Sequence, residues 1–375
     1  MKAPSNVSRA VAAALKVARV PGCSAALVGR DGVTWSGGFG WADLVTRRPA
    51  QPDTVYHLFS GTKLFTATAV MQLVERGKVS LDDAAVDFLP DSAALRGITI
   101  RDLLSHRSGL KDSLRSFLSV ALGAADPPTT RDALSRYRYR LGRPPREKVE
   151  YRNVNYAILG HVVTVVSGVE YTEYVANEIL RPPGMNAGFK LEGGFRSEAA
   201  TGYVQRQDPM RLLLWYLFPE VRRALYTATV GKHVALAEFA LATPAIGGLV
   251  GSVVEWAKLV HAHISGGGPL LSSASAGLMQ SQVAAGAAGI ESRVGVGLGW
   301  KIGRVEGRRF LNHEGGGAGF TSELRIYPDL GSGVVIAMNA MSMPKTMRVA
   351  HAISEILIAY RDELGDEASI REEAS

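Results

Sequence analysis

The chain has 375 residues, 46% hydrophobic and 21% charged, the balance of an ordinary soluble globular protein with room for two domains or one domain carrying a large insertion. Its single cysteine, Cys23, excludes an intramolecular disulfide framework and fits a reducing compartment. Lys and Arg number 42 against 35 Asp and Glu, a formal charge of +7, but no nucleic-acid motif accompanies the excess.

Residues 1–22, MKAPSNVSRAVAAALKVARVPG, scatter basic residues through an Ala/Val stretch. They lack the unbroken apolar core of a secretory signal and read as an amphipathic first helix. Residues 23–30 and 33–41 are two strand-like runs joined by a turn at Arg30-Asp31-Gly32, and Cys23 sits in the first as a buried, inert thiol. From about 60 to 180 the pattern turns helical, as in LFTATAVMQLVERG, closed by Gly77, and NYAILGHVVTVVSG, closed by Gly168. RDALSRYRYRLGRPPREK at 131–148 is a basic face open to solvent.

Residues 206–243 stand apart. RQDPMRLLLWYLFPEVRRALY wedges apolar residues among arginines and reads as a partly buried helix pair, with a lid over an apolar pocket or a lipid-contacting surface through 206–223 as alternatives. The longest apolar window, about 234–254, is interrupted by Glu238, Pro244 and paired glycines, so no transmembrane span is expected and the default location is cytoplasmic. After 290 strands return in GVGLGWKIG, RRFLNHEG, FTSELRIYP and SGVVIAMNA, and a helix follows at roughly 346–364. The expected class is α+β. Residues 1–60 and 290–375 form a domain from both termini, and 61–289 form an inserted, mainly helical domain.

Three S-x-x-K pairs occur: Ser60/Lys63, Ser108/Lys111 and Ser342/Lys345. A lysine acts on a serine only if both lie on one helix face, a turn apart. Gly109 and Pro344 interrupt the last two, whereas SGTK opens a sustained helical pattern. A serine at a helix start is also an ordinary N-cap, so this pair alone leaves the matter open. A serine hydroxyl needs a neighbouring base, and a lysine serves only if burial or a nearby cation keeps its amine neutral. Tyr151-Arg152-Asn153, the one Y-x-N of the chain, offers a phenol as a second proton carrier and an amide to hold a substrate carbonyl. His313-Glu314-Gly315-Gly316 ends a strand, where glycines permit close approach of substrate to a backbone N–H. Lys301-Ile302-Gly303 is a rival of K-x-G form one strand earlier. No G-x-S-x-G elbow occurs.

The ordered blocks HLFSGTKLFTATAVMQLVERG, ITIRDLLSHRSGL, YRNVNYAILGHVVTVVSG, PAIGGLVGSVVEWAKLV, GLGW and NHEGGGAGF resemble the class C β-lactamase-like serine hydrolases, a superfamily that includes penicillin-binding proteins, D-amino-acid peptidases and family VIII carboxylesterases. The resemblance implies the β-lactamase/transpeptidase-like fold, an antiparallel sheet flanked by helices. It further implies that Ser60 is acylated, that Lys63 and Tyr151 share the proton work, and that Asn153 holds the substrate. The N–H groups of Ser60 and Gly316 would form the oxyanion hole, with Gly315 beside them. No cofactor or metal is implied. His313 stands where such enzymes usually carry the lysine of K-T-G, and imidazole is a weaker carboxylate anchor at pH 7. That change points toward esters. A β-lactam or D-amino-acid amide, anchored by Arg143 and Arg146, is the second expectation, and a non-catalytic binding protein the third. Oligomeric state is not legible.

Overall fold

The computed structural model describes residues 5–361 apart from 90–91, 113–129, 136, 138, 210–211, 213–215, 217–224, 240 and 287–292. An antiparallel sheet organises it. Its strands are β1 (Gly22–Gly29), β2 (Gly32–Asp43), β3 (Arg48–Pro49), β9 (Ala284–Ala285), β10 (Arg293–Val296), β11 (Lys301–Val305), β12 (Arg308–Gly317), β13 (Phe320–Tyr327) and β14 (Ser332–Met338), in the order β3-β2-β1-β14-β13-β12-β11-β10-β9. The first three strands come from the N-terminal part and the rest from the C-terminal part, joined where Cys23 pairs with Met338.

Both faces of the sheet are covered, which is why every residue of β13 and β14 is buried and why β14 reads as a nearly continuous apolar run instead of an alternating one. Helices α1 (Ser5–Ala18) and α5 (Lys345–Ala359) bury one face, with Val7, Val11, Ile353 and Leu357 against Leu27, Val334 and Ile336. Cys23 is buried there, and desolvation pushes its thiol upward, so it stays protonated. Charge also crosses this layer: the buried Arg325 guanidinium lies 2.7 Å from Glu323 and 2.9 Å from Glu355 of α5, over the face of Phe310. Buried charges of this kind need such partners.

The other face meets α4 (Val253–Ile264) and, beyond it, α2 (Thr62–Glu75) and α3 (Asn153–Ser167). Helix α2 is buried nearly all round from Thr62 to Leu73 and α3 from Val154 to Val163, so neither shows the one-sided stripe of a surface helix. Gly168, at φ +77°, closes α3 in the left-handed conformation that its sequence expects.

Within 206–243 the described residues hold a hairpin. Tyr226–Val230 and His233–Leu236 form a hairpin, β6 and β7, which joins β5 (Tyr203–Gln205) and β15 (Ala340–Met341) in a second sheet. Alternation in TATV, the apolar run VAL and a turn at Gly231 carry that hairpin. Most of the 210–224 run, and with it the expected helix pair, lid and lipid contact, lies outside the described residues. Among the described residues no helix is long and apolar enough to cross a membrane.

Candidate active site

Ser60 sits in a tight turn, Phe59–Gly61, that feeds directly into α2. Phe59 holds φ +48°, a conformation costly for a bulky side chain. The turn is pinned from both sides. Gly315 and Gly317 of β12 lie against Leu58 and the Phe59 ring, where any Cβ would collide. The Ser322 hydroxyl donates to the Leu58 carbonyl at 2.7 Å. The sequence suggested that the glycines of β12 admit substrate; at Gly315 they admit the protein's own nucleophile turn.

One helical turn on, Lys63 is fully buried beneath Ser60. Its Nζ donates to the Ile246 carbonyl at 2.7 Å and lies 3.1 Å from Ser60 Oγ. Burial, reinforced by the Lys301 ammonium and opposed by Asp112, drives its pKa far below the usual 10.5 and favours a neutral amine. The Tyr151 hydroxyl approaches the same Ser60 oxygen at 2.8 Å from the solvent side. Ser60, Lys63 and Tyr151, read from separate motifs, therefore meet at one oxygen. The other two pairs do not compete: Ser108 is buried and donates to Asn155, and Ser342 donates to Asp208.

Tyr151 is held by the start of α3 and by the HRSGL turn. Asn153 and Val154 donate their backbone N–H groups to the Asp112 carboxylate at 2.7 and 3.2 Å, an anion on a helix N-terminus. The Asn153 side chain is half-buried. His106, itself at φ +56°, accepts from the Arg152 N–H at 3.2 Å, and its ring lies 4.6 Å from the Tyr151 ring. Sequence reasoning assigned roles to neither Asp112 nor His106; the available signal was their place in SHRSGLKD, just ahead of α3 in space.

His313 is buried, with Nδ1 3.0 Å from the Glu314 carbonyl and its ring 6.1 Å from Tyr151. Burial and the fields of Lys301 and Lys63 hold its pKa well below 6.5, so the imidazole is uncharged at neutral pH. Gly316 faces the opposite side of β12, toward Met341 and Met347. Lys301, the rival K-x-G lysine, is also present: its Nζ lies 5.1 Å from the Tyr151 ring centroid and 2.6 Å from Glu314 Oε2. Arg143 and Arg146 are ion-paired elsewhere, with Glu147 and Glu150 and with Asp102.

Beside Ser60 runs an aromatic wall. His57 stacks on Phe239 at 4.3 Å, and Phe59 and Phe320 complete the cluster. Burial lowers the His57 pKa to about 4, leaving it neutral and apolar in character. Phe239 belongs to the 206–243 stretch, whose composition alone gave no hint of where it packs.

A model of the family described as Beta-lactamase matches residues 7–357. Penicillin-binding protein 4 of Amycolatopsis lactamdurans is 31% identical over 76% of this chain and 72% of its own length. Unguisins hydrolase ungD of Aspergillus violaceofuscus is 27% identical over 89% of this chain, which spans 61% of that protein. Protein flp of Staphylococcus aureus (strain COL) is 31% identical over 52% of this chain, which spans only 40% of it. Among solved structures, the octameric penicillin-binding protein homologue from Pyrococcus abyssi superposes with TM-score 0.77 at 25% identity, over 94% of this chain and 77% of that one. The D-amino acid amidase from Ochrobactrum anthropi SV3 gives TM-score 0.77 at 22% identity over 96% and 100%, a likeness of fold alone. The fold is thus β-lactamase/transpeptidase-like.

Proposed function

The chain belongs to the beta-lactamase family of serine hydrolases, and from that premise we propose that it hydrolyses carboxylic esters through an acyl group carried on Ser60. The observation that carries this reading is the convergence of a buried amine and a phenol on one serine oxygen, 3.1 and 2.8 Å away. Lys63, neutral, takes the Ser60 proton as Oγ attacks the ester carbonyl. The carbonyl oxygen becomes an oxyanion, for which the N–H groups of Ser60 and Gly316 are the assigned donors. As the tetrahedral centre collapses, Tyr151 gives its proton to the departing alkoxide, and acyl-Ser60 remains with a charged Lys63 and a Tyr151 phenolate. The phenolate then takes a proton from water, hydroxide attacks the acyl carbon, and Lys63 returns its proton to Ser60 Oγ. Every proton is restored. Asn153, at the mouth of α3, is assigned to the substrate carbonyl side.

Two features favour an ester with an apolar acyl group over an anionic β-lactam. His313 is an uncharged imidazole at the position where a lysine would anchor a carboxylate. Phe59 and Phe239, half-buried and backed by the buried His57 and Phe320, offer apolar surface next to the nucleophile. Amide hydrolysis is the second reading, since a D-amino acid amidase shares this fold. Comparing kcat/KM for p-nitrophenyl esters of rising chain length, a chromogenic cephalosporin and a D-aminoacyl p-nitroanilide tests it. Esters are expected to lead, with medium or long chains ahead of acetate and all turnover lost in Ser60→Ala. A cephalosporin or anilide turned over more efficiently than every ester would overturn the ester assignment.

A further inference from the structure

We propose that Lys301, which reaches the site from β11, is a positioning residue for the Ser60 reaction: it is the fixed cation beside Tyr151, held in place by its pairing with Glu314 of β12. The proposal rests on the acyl-serine reading above and adds a residue that lies outside the three motifs of that reading.

The geometry begins with strand register. Lys301 is the first residue of β11 and pairs with Asn312, so its side chain shares a face of the sheet with Asn312 and Glu314. Its Nζ lies 2.6 Å from Glu314 Oε2, on the same face of the neighbouring strand. The same Nζ lies over the Tyr151 ring at 5.1 Å, the same distance as Lys63 Nζ. Two lysine side chains from unrelated elements, one a neutral amine and one an ammonium, thus flank one phenol. Glu314 in turn lies 3.3 Å from His351 Nε2 on α5, so the carboxylate end of the pair points into the helix layer and the cationic end toward the cleft.

This arrangement has two consequences. A cation held beside Tyr151 stabilises the phenolate formed on leaving-group departure. A cation near Lys63 disfavours a second positive charge there, and the Lys301 ammonium is indeed the largest contributor after burial to the lowered Lys63 pKa. Other groups facing the pair are accounted for. His106 and His313 are neutral, Tyr156 is a buried phenol pushed far upward by desolvation, and Asp112 acts in the opposite sense to Lys301. Arg152 is committed to Glu150 at 3.1 Å and to the Leu110 carbonyl. Glu314, paired with Lys301, opposes it at His313, whereas at Lys63 the opposing carboxylate is Asp112.

The test is the rate of covalent labelling of Ser60 by a fluorophosphonate, followed by intact mass across a pH series, in the full chain and in Ser60→Ala, Lys301→Met and Lys301→Arg. Labelling requires neutral Lys63 but no knowledge of the natural substrate. In Lys301→Met the acid limb of the rate profile is expected to move up by about one pH unit, while Lys301→Arg keeps it near the wild-type position. Circular dichroism of each variant separates this from misfolding, since a folded Lys301→Met with a displaced limb is the signature of lost charge. An unmoved limb in a folded Lys301→Met overturns the proposal and leaves the acyl-serine reading intact, provided Ser60→Ala takes no label. A Lys301→Met that does not fold, or a Lys301→Arg displaced as far as Lys301→Met, assigns the residue a structural part and also overturns it. If the wild type takes no label at Ser60, both readings fall together.

Discussion

Lys63 is buried and bonded to a backbone carbonyl and a serine hydroxyl, with no carboxylate in hydrogen-bonding reach among the described residues. Its folded pKa lies below the unfolded value, so the sign follows directly. Above pH 10.5 both states are neutral and nothing is lost; as pH falls, the unfolded lysine binds a proton that the folded one refuses, and stability declines until the folded pKa is reached. At neutral pH the residue therefore costs stability. Lys63→Met is expected to raise the melting temperature, by about 1 kcal/mol or more of unfolding free energy, while lowering kcat by about 10²- to 10⁴-fold. Thermal denaturation and ester turnover on one preparation check both signs. Tyr151→Phe removes the proton donor but no buried charge, so it is expected to lower kcat without the gain in stability. Gly315 makes a different kind of demand. A methyl group there would push on the Leu58 carbonyl, so Gly315→Ala is expected to lose about 1–3 kcal/mol and most activity together.

At the scale of elements, the site depends on where α3 begins. The Asp112 carboxylate on the first N–H groups of that helix fixes the residue two positions after Tyr151, and through it the phenol. Asp112→Ala is expected to cost about 0.5–2 kcal/mol and to lower kcat more than it raises KM; chemical denaturation and steady-state kinetics distinguish the two effects. The aromatic wall is built by elements far apart in the chain, with Phe239 closing it over His57. Phe239→Ala is expected to raise KM for long-chain esters and leave acetate esters almost unchanged. An equal loss across the chain-length series would remove the wall from the acyl site.

Across the whole molecule, legibility followed sequence distance. Ser60 with Lys63 was readable because a helix fixes what lies a turn apart, and the interrupted pairs at Ser108 and Ser342 could be set aside on the same rule. The order of blocks pointed to Tyr151, which the structure brings to Ser60, while the substrate-side roles of Gly315 and Gly316 stay our proposal. The large sheet was visible in alternating and apolar runs at both ends. The division with 61–289 as an inserted unit stays our proposal, with α4 packed on the sheet strands β1 and β14. What sequence could not give was anything set by tertiary approach. Phe59 holds a positive φ where β12 packs against it, and Lys301 of β11 lies over the Tyr151 ring contributed by a distant part of the chain. The hairpin at 226–236 was hidden by the arginine-rich apolar run before it, which dominates any reading by composition.

The central claim is that Ser60 is the acylated nucleophile. Mixing the protein with excess p-nitrophenyl ester, quenching in acid within the first turnover, and measuring intact mass with peptide mapping tests it most directly. The account predicts one added acyl group on the peptide holding Ser60, absent in Ser60→Ala and formed far more slowly in Lys63→Met. An acyl adduct that persists in Ser60→Ala, or maps to another residue, would contradict it.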